Sequence, residues 1–287
     1  MNITISGASG FIGRHLLKSL ATAGHSLRAL SRHAPPAESL READVVIHLA
    51  GEPIAQRWTA EAKRRIRESR VAGTRHLVEA LAKLPRRPQA LICASAIGYY
   101  GSRGDEILME SSSPGSGFLP ELCVAWESEA QAAEAFGMRV VRVRTGVVLD
   151  AGGGALQRML PPFRMGVGGR LGSGRQWMSW IHLEDLARLF QFAVESHVRG
   201  PLNAVAPYPV TNSDFTRELA RALGRPAVFP IPGFALRLLF GEMADVLLAS
   251  QRVAPAAAQA AGFRFRFPQL APALAGLLRV RDIIVMI

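Results

Sequence analysis

Apolar positions along this chain fall into short blocks whose period keeps switching between strand and helix. Residues 2–6 read as a short buried strand, closed by a glycine. In residues 11–23, Ile12, Leu16, Leu17 and Leu20 recur at three- and four-residue spacings, which predicts a helix with those side chains turned inward. Gly24-His25 ends that helix, and residues 26–30 predict a second strand. A short link containing Ala34-Pro35-Pro36 leaves the next crossover helix reduced or missing. Beyond it the pattern predicts a strand at 44–50, a long helix at 59–84, a strand at 89–95, a helix through 126–136 and a strand at 139–144. Strand and helix alternate with Gly-rich turns at the strand ends, as in an α/β, doubly wound parallel sheet.

Past about residue 150 the alternation breaks up. Gly152-Gly153-Gly154, the stretch 166–174 and many prolines mark loops between helices at 183–195, at 212–223 and from about 234. This pattern predicts a smaller, mixed C-terminal substrate lobe interleaved with the end of the sheet, and a division into residues 1–205 and 206–287. There are no internal repeats. The apolar runs are strand-length, far short of a membrane span, and no leader is expected before the first strand. Residues 282–287 are apolar for a chain end and are expected to pack on the lobe or at a subunit interface.

Composition changes this picture little. A hydrophobic fraction of 49 % and a charged fraction of 20 % fit a globular protein with a sizeable core. Two cysteines, Cys93 and Cys123, make neither a disulfide framework nor a metal site, so a cytoplasmic home is expected and no metal. The net charge of +11 raises nucleic acid as a partner. The cations are nearly all arginine, with Lys18, Lys63 and Lys83 the only lysines. Apart from residues 63–67 they are scattered, without interleaved aromatics. Nucleic-acid binding therefore stands as the lesser alternative.

The sharpest chemical signal is Gly7-Ala8-Ser9-Gly10-Phe11-Ile12-Gly13, which follows one predicted strand directly and opens a predicted helix. The first glycine allows a tight turn, the second lets backbone approach a pyrophosphate, and the third lets helix and strand pack closely. The helix N-terminus stabilises the negative charge. In that setting the motif predicts a dinucleotide-binding Rossmann domain. An NAD enzyme usually places an acid at the end of the second strand to hold the ribose hydroxyls, and here the segment reads Leu30-Ser31-Arg32-His33. Ser31 can donate to a 2′-phosphate and Arg32 offers a planar cationic fork, so NADP is expected as cofactor. In the long helix Ile66, Arg70, Gly73, Leu77 and Leu81 share one face, and an inward Arg70 needs an anionic partner, either the cofactor or a carboxylate.

These segments, with HLAGEPI (48–54), SRVAGT (69–74), SAIGYYG (95–101), RTGVVL (144–149), GGGAL (152–156), Trp180-Ile181-His182 and APYPVTN (206–212), resemble the extended short-chain dehydrogenase/reductases, or NAD-dependent epimerase/dehydratase family. The likeness is nearest to a sugar-nucleotide epimerase-like subgroup with a C-terminal domain of unknown function, and it spans about residues 1–278. The resemblance implies NADP contacts from Ser31, Arg32, Leu49, Ala50 and Arg70. The expected cofactor site is thus Gly7, Ser9, Gly10, Phe11, Ile12, Gly13, Ser31, Arg32, Leu49, Ala50, Gly51 and Arg70.

The superfamily's usual acid–base pair is Tyr-x-x-x-Lys, in which lysine lowers the tyrosine pKa. This chain has no lysine after Lys83, and none of Tyr99, Tyr100 and Tyr208 is followed by lysine four residues on. The subgroup shares this departure. Candidate substitutes are Ser95 as an orienting hydroxyl, Tyr100 or Tyr99 as proton donor and Glu127 as acid/base. Against these stand loop packing for the tyrosines and an ion pair of Glu127 with an arginine such as Arg142. His182 reads as structural. The stretch 166–177 suits either a lid or an ordinary loop. The expected function is an NADP-dependent oxidoreductase or epimerase-like enzyme, monomeric or homodimeric, acting on a small molecule such as a nucleotide sugar or other carbonyl compound. The alternative is a non-catalytic NADP-binding sensor.

Overall fold

A computed structural model describes residues 1–30 and 40–284, with side chains as far as residue 278. Six strands form one parallel sheet: β1 (Asn2–Ser6), β2 (Ser26–Leu30), β3 (Val45–His48), β4 (Ala90–Ala96), β5 (Arg139–Thr145) and β6 (Gly200–Ala204). Their order across the sheet is β6-β5-β4-β3-β1-β2. The chain leaves β1 for β2 on one side and returns to β3 on the other, which opens a crevice at the carboxyl ends of β1 and β3.

The helices cover both faces, as the alternating pattern predicts. On one face α1 (Phe11–Thr22) and α5 (Leu183–Glu195) bury Leu16, Leu20, Leu186, Leu189 and Phe190 against β1, β3 and β4. On the other, α2 (Ala60–Ala82) and α3 (Phe118–Gln131) bury Leu77, Val78, Leu81, Trp126 and Ala130. Helix α2 begins where the sequence places it because the Thr59 side chain accepts a hydrogen bond from the Ala62 amide at 3.1 Å, satisfying a donor that the helix itself leaves free. Helix α3 follows the Gly/Ser-rich loop that ends at Gly117 and carries Cys123, Trp126 and Glu127. Pro120 sits in its first turn, where no intrahelical amide bond is lost. Residues 132–136 are a tighter 3₁₀ turn rather than its continuation.

A second core lies beyond the carboxyl edge. It joins α4 (Gly154–Arg164), α6 (Asn212–Leu223) and α8 (Leu270–Ile284) through Leu156, Leu160, Phe163, Phe215, Leu219 and Leu274. A short parallel pair, Val147–Asp150 with Trp180–His182, links this lobe to the sheet. The Asp185 carboxylate ties the C-terminal segment down: it accepts from the amides of Arg266 (2.9 Å) and Phe267 (2.8 Å) and from Arg188. His182 caps α5 through Nδ1 and stacks on Phe267, the structural part expected of it.

Candidate functional site

At the crevice, Gly7 has φ +73°, and a Cβ there would lie 2.8 Å from the Ala50 nitrogen and the Leu49 carbonyl carbon. Only glycine fits so close to the end of β3. A Cβ on Gly13 would sit 2.3 Å from the Gly7 oxygen, so this third glycine lets α1 close on the loop. Gly10 precedes α1 with no side-chain cap, and the first turn has no acidic residue. Its leading amides are therefore left for an anion. Ser9 and Gly10 are exposed, and Phe11 and Ile12 half-buried, at the mouth of this notch. Gly153 and Gly154 press on the Phe11 ring, a role for the glycine triplet that spacing alone did not reveal.

Arg70 reaches from α2 to the same place. Its guanidinium lies against Gly51, donates to the Glu52 carbonyl at 2.8 Å and stands 5.2 Å over the Trp126 ring. Burial lowers its pKa against the opposing effects of Cys123 and Glu52, and among the described residues no carboxylate is close enough to form an ion pair with it. A mostly buried, unpaired cation beside open helix amides fits a phosphorylated dinucleotide. Ser31 and Arg32, on which the preference for NADP was read, lie outside the described residues.

Beneath the crevice is a buried polar cluster. His48 holds Ser6 Oγ (2.5 Å) and Thr74 Oγ1 (3.1 Å), and burial, with the nearby Arg70 charge, pushes its pKa down to about 4. It is therefore a neutral packing group at physiological pH.

The three candidate catalytic residues come together at the carboxyl ends of β4 and β5. Ser95 Oγ donates to Glu127 Oε1 at 2.7 Å. Glu127 accepts a two-pronged pair of 2.8 Å bonds from Arg144 Nε and Nη2, while Arg142 stays 3.8 Å away. The carboxylate's main partner is thus Arg144, two residues along β5 on the same face. Arg144 Nη1 also donates to the Tyr100 hydroxyl (2.9 Å), and that hydroxyl donates to Asn203 Oδ1 (2.7 Å). Tyr100 is fully buried, and burial raises its pKa against the opposing effect of Arg144. Tyr99 is half-buried, with the Arg144 guanidinium 3.5 Å from its ring centre.

Sequence reasoning did not find the roles of Arg144 and Asn203, although polar side chains inside buried parallel strands, one of them charged, were a usable signal. On α3 the four-residue pair facing Gly98, just past β4, is Leu119 and Cys123. Burial pushes the Cys123 thiol up to about 12, so neither side chain titrates near neutrality.

The stretch 166–177 is pinned rather than loose. Gly172 donates to the Ile231 carbonyl, Ile231 to the Arg170 carbonyl, and Gln176 to the carbonyls of Leu171 and Leu247. Trp177 is held by Asp105. These bonds make it an ordinary loop in this conformation. Within the basic run, Arg64 bonds Glu61 and Glu68 along the helix and Arg65 bonds Glu61. That is a self-compensated face rather than a phosphate-binding stripe. Among the described residues no cluster of His, Cys, Asp and Glu could hold a metal ion, and no helix is long and apolar enough to cross a membrane.

Comparison with known proteins agrees with this architecture. Residues 3–205 match the model of the NAD dependent epimerase/dehydratase family, and residues 231–277 match a domain of unknown function, DUF1731. An epimerase family protein of Mycobacterium tuberculosis is 43 % identical over 290 residues, covering 95 % of this chain and 96 % of that protein. A chloroplastic Arabidopsis thaliana homologue of epimerase family protein SDR39U1 is 37 % identical, covering 97 % of this chain and 87 % of its own length. The crystal structure of human SDR39U1 with NADPH superposes with TM-score 0.91 at 36 % identity, covering 97 % of this chain and 99 % of that one. The chain belongs to the NAD dependent epimerase/dehydratase family.

Proposed function

We propose that this protein is an NADP-dependent oxidoreductase or epimerase-like enzyme whose small substrate, a nucleotide sugar or other carbonyl compound, binds between the carboxyl edge of the sheet and the lobe built on α4, α6 and α8. The observation that carries the reading is the notch at the crevice, where open α1 amides, the Gly7 turn and the unpaired Arg70 cation meet. The NADPH bound to the human relative supports it. Gly7, Ser9, Gly10, Phe11, Ile12 and Gly13 would hold the pyrophosphate, and Leu49, Ala50, Gly51 and Arg70 would line the opposite wall. Ser31 and Arg32 would select the 2′-phosphate. When bound, the nicotinamide supplies or takes up a hydride.

Ser95 is the hydroxyl that would orient the substrate, since its proton is committed to Glu127 and its lone pairs remain for a ligand. Glu127 and Tyr100 act as positioning residues, held by Arg144. Fluorescence titration should give tight NADPH binding, weaker NADH binding, and loss of most NADPH affinity in Arg32→Ala and Arg70→Ala. Failure of both nucleotides to bind would overturn the assignment. A second reading, a non-catalytic NADP sensor, draws on the complete burial of Tyr100 and the engagement of its hydroxyl as both donor and acceptor. NADPH binding without turnover across a panel of aldehydes, ketones and nucleotide sugars would select it.

A further inference from the structure

The surface carries an apolar patch that the cofactor site does not use. Residues 165–172 run beside 226–233, joined by the hydrogen bonds of Ile231 to Arg170 and of Gly172 to Ile231, both 2.8 Å. The chain then enters α7 (Gly233–Phe240). Only Leu236 of this helix is buried, whereas Phe234, Leu238 and Leu239 are 74 %, 80 % and 67 % exposed. Phe229 and Met165 stand out from the paired segments at 58 % and 70 %. Exposures this high describe side chains projecting outward, not the walls of a groove that would receive a peptide or small ligand. So many large apolar groups on one surface call for an apolar phase to cover them.

Charge indicates which one. Arg170 is exposed within the first segment and Arg164 and Arg225 directly before the two segments, and among the described residues none of the three forms an ion pair. The acids nearby are already engaged, Glu242 with Lys63 and Asp245 with Arg237. A second copy docking patch to patch would bring two arginine-bearing surfaces together, and a chain of net charge +11 would repel itself further. An anionic lipid surface offers the opposite charge together with an apolar layer beneath it.

We infer that the patch formed by Met165, Phe229, Phe234, Leu238 and Leu239, with its arginine rim, is a peripheral docking surface for an anionic membrane. The apolar side chains enter the interface between headgroups and acyl chains while Arg164, Arg170 and Arg225 lie among the headgroups. Among the described residues no helix is long and apolar enough to cross the bilayer, so the contact is a surface one. The surface would hold the protein beside a membrane whatever its cofactor.

Co-sedimentation of the full chain with phosphatidylcholine vesicles, with and without phosphatidylglycerol, tests this. Binding is expected only where phosphatidylglycerol is present, weakening with added salt. The double variant Leu238→Glu/Leu239→Glu should lose binding by at least about tenfold, and Arg164→Ala/Arg225→Ala should weaken it and flatten its salt dependence. Both variants keep their nucleotide affinity, which reports that they are folded. Three outcomes would overturn the inference: no binding to anionic vesicles at low salt, unchanged binding by the double glutamate variant, or a dimer in solution that this variant dissolves while vesicles are ignored.

Discussion

At the scale of single residues, the site is made of groups whose neighbours allow few substitutes. Gly7→Val would force a branched side chain into φ +73° with backbone 2.8 Å away. It should abolish nucleotide binding in the fluorescence titration and lower the melting temperature. Glu127→Ala would strand the Arg144 charge in the interior, at a cost of about 3–5 kcal/mol in urea unfolding. The double variant Glu127→Ala/Arg144→Met should recover part of that loss, because the uncompensated charge goes with the arginine. A pair that behaved additively would mean that Arg144 finds another partner.

His48 gives a pH dependence of definite sign. Its pKa falls from 6.5 to about 4 on folding, so the unfolded chain binds the extra proton between these values. This contribution is complete above pH 6.5 and is lost as the pH falls toward 4, by about 3 kcal/mol at most. Urea unfolding across that range should show a shallower slope for His48→Gln than for the wild type.

At the scale of elements, the helices and strands expected from periodicity are present, and their ends are where the reading slipped. Helix α5, from Leu183 to Glu195, and helix α6, from Asn212 to Leu223, begin and end as expected because His182 and Thr211 cap them locally. Helix α3 stops at Gln131, short of the expected 136, where the chain tightens into a 3₁₀ turn, while its body is fixed by packing of Trp126 and Ala130 in the sheet-side core. The pinned stretch 166–177 was undecidable because its partners, Ile231 and Leu247, lie far along the chain. Asp185 links two such distant elements. Asp185→Ala leaves the Arg266 and Phe267 amides without their acceptor, which should cost about 2–3 kcal/mol. Limited proteolysis should then cut sooner near residues 262–269.

At the scale of the whole molecule, a cofactor that binds only the folded state should raise stability by about 2.7 kcal/mol at one hundred times its dissociation constant. For a chain of this size that is an increase in melting temperature of several degrees, to be read by thermal unfolding with NADPH and compared with NADH. An equal rise with both would argue against 2′-phosphate recognition.

The amino-acid sequence by itself determined the parallel α/β sheet, the glycine notch and the absence of Tyr-x-x-x-Lys, because each is written in local spacing: a strand, a turn and a helix within a few residues. Only the tertiary structure decided that Arg144 rather than Arg142 holds Glu127, and that Asn203 completes the Tyr100 hydrogen bonds. It likewise decided that Leu119 and Cys123 face the end of β4. Those relations join side chains on different strands and helices, and their partners are set by sheet register and helix packing, which no local pattern specifies.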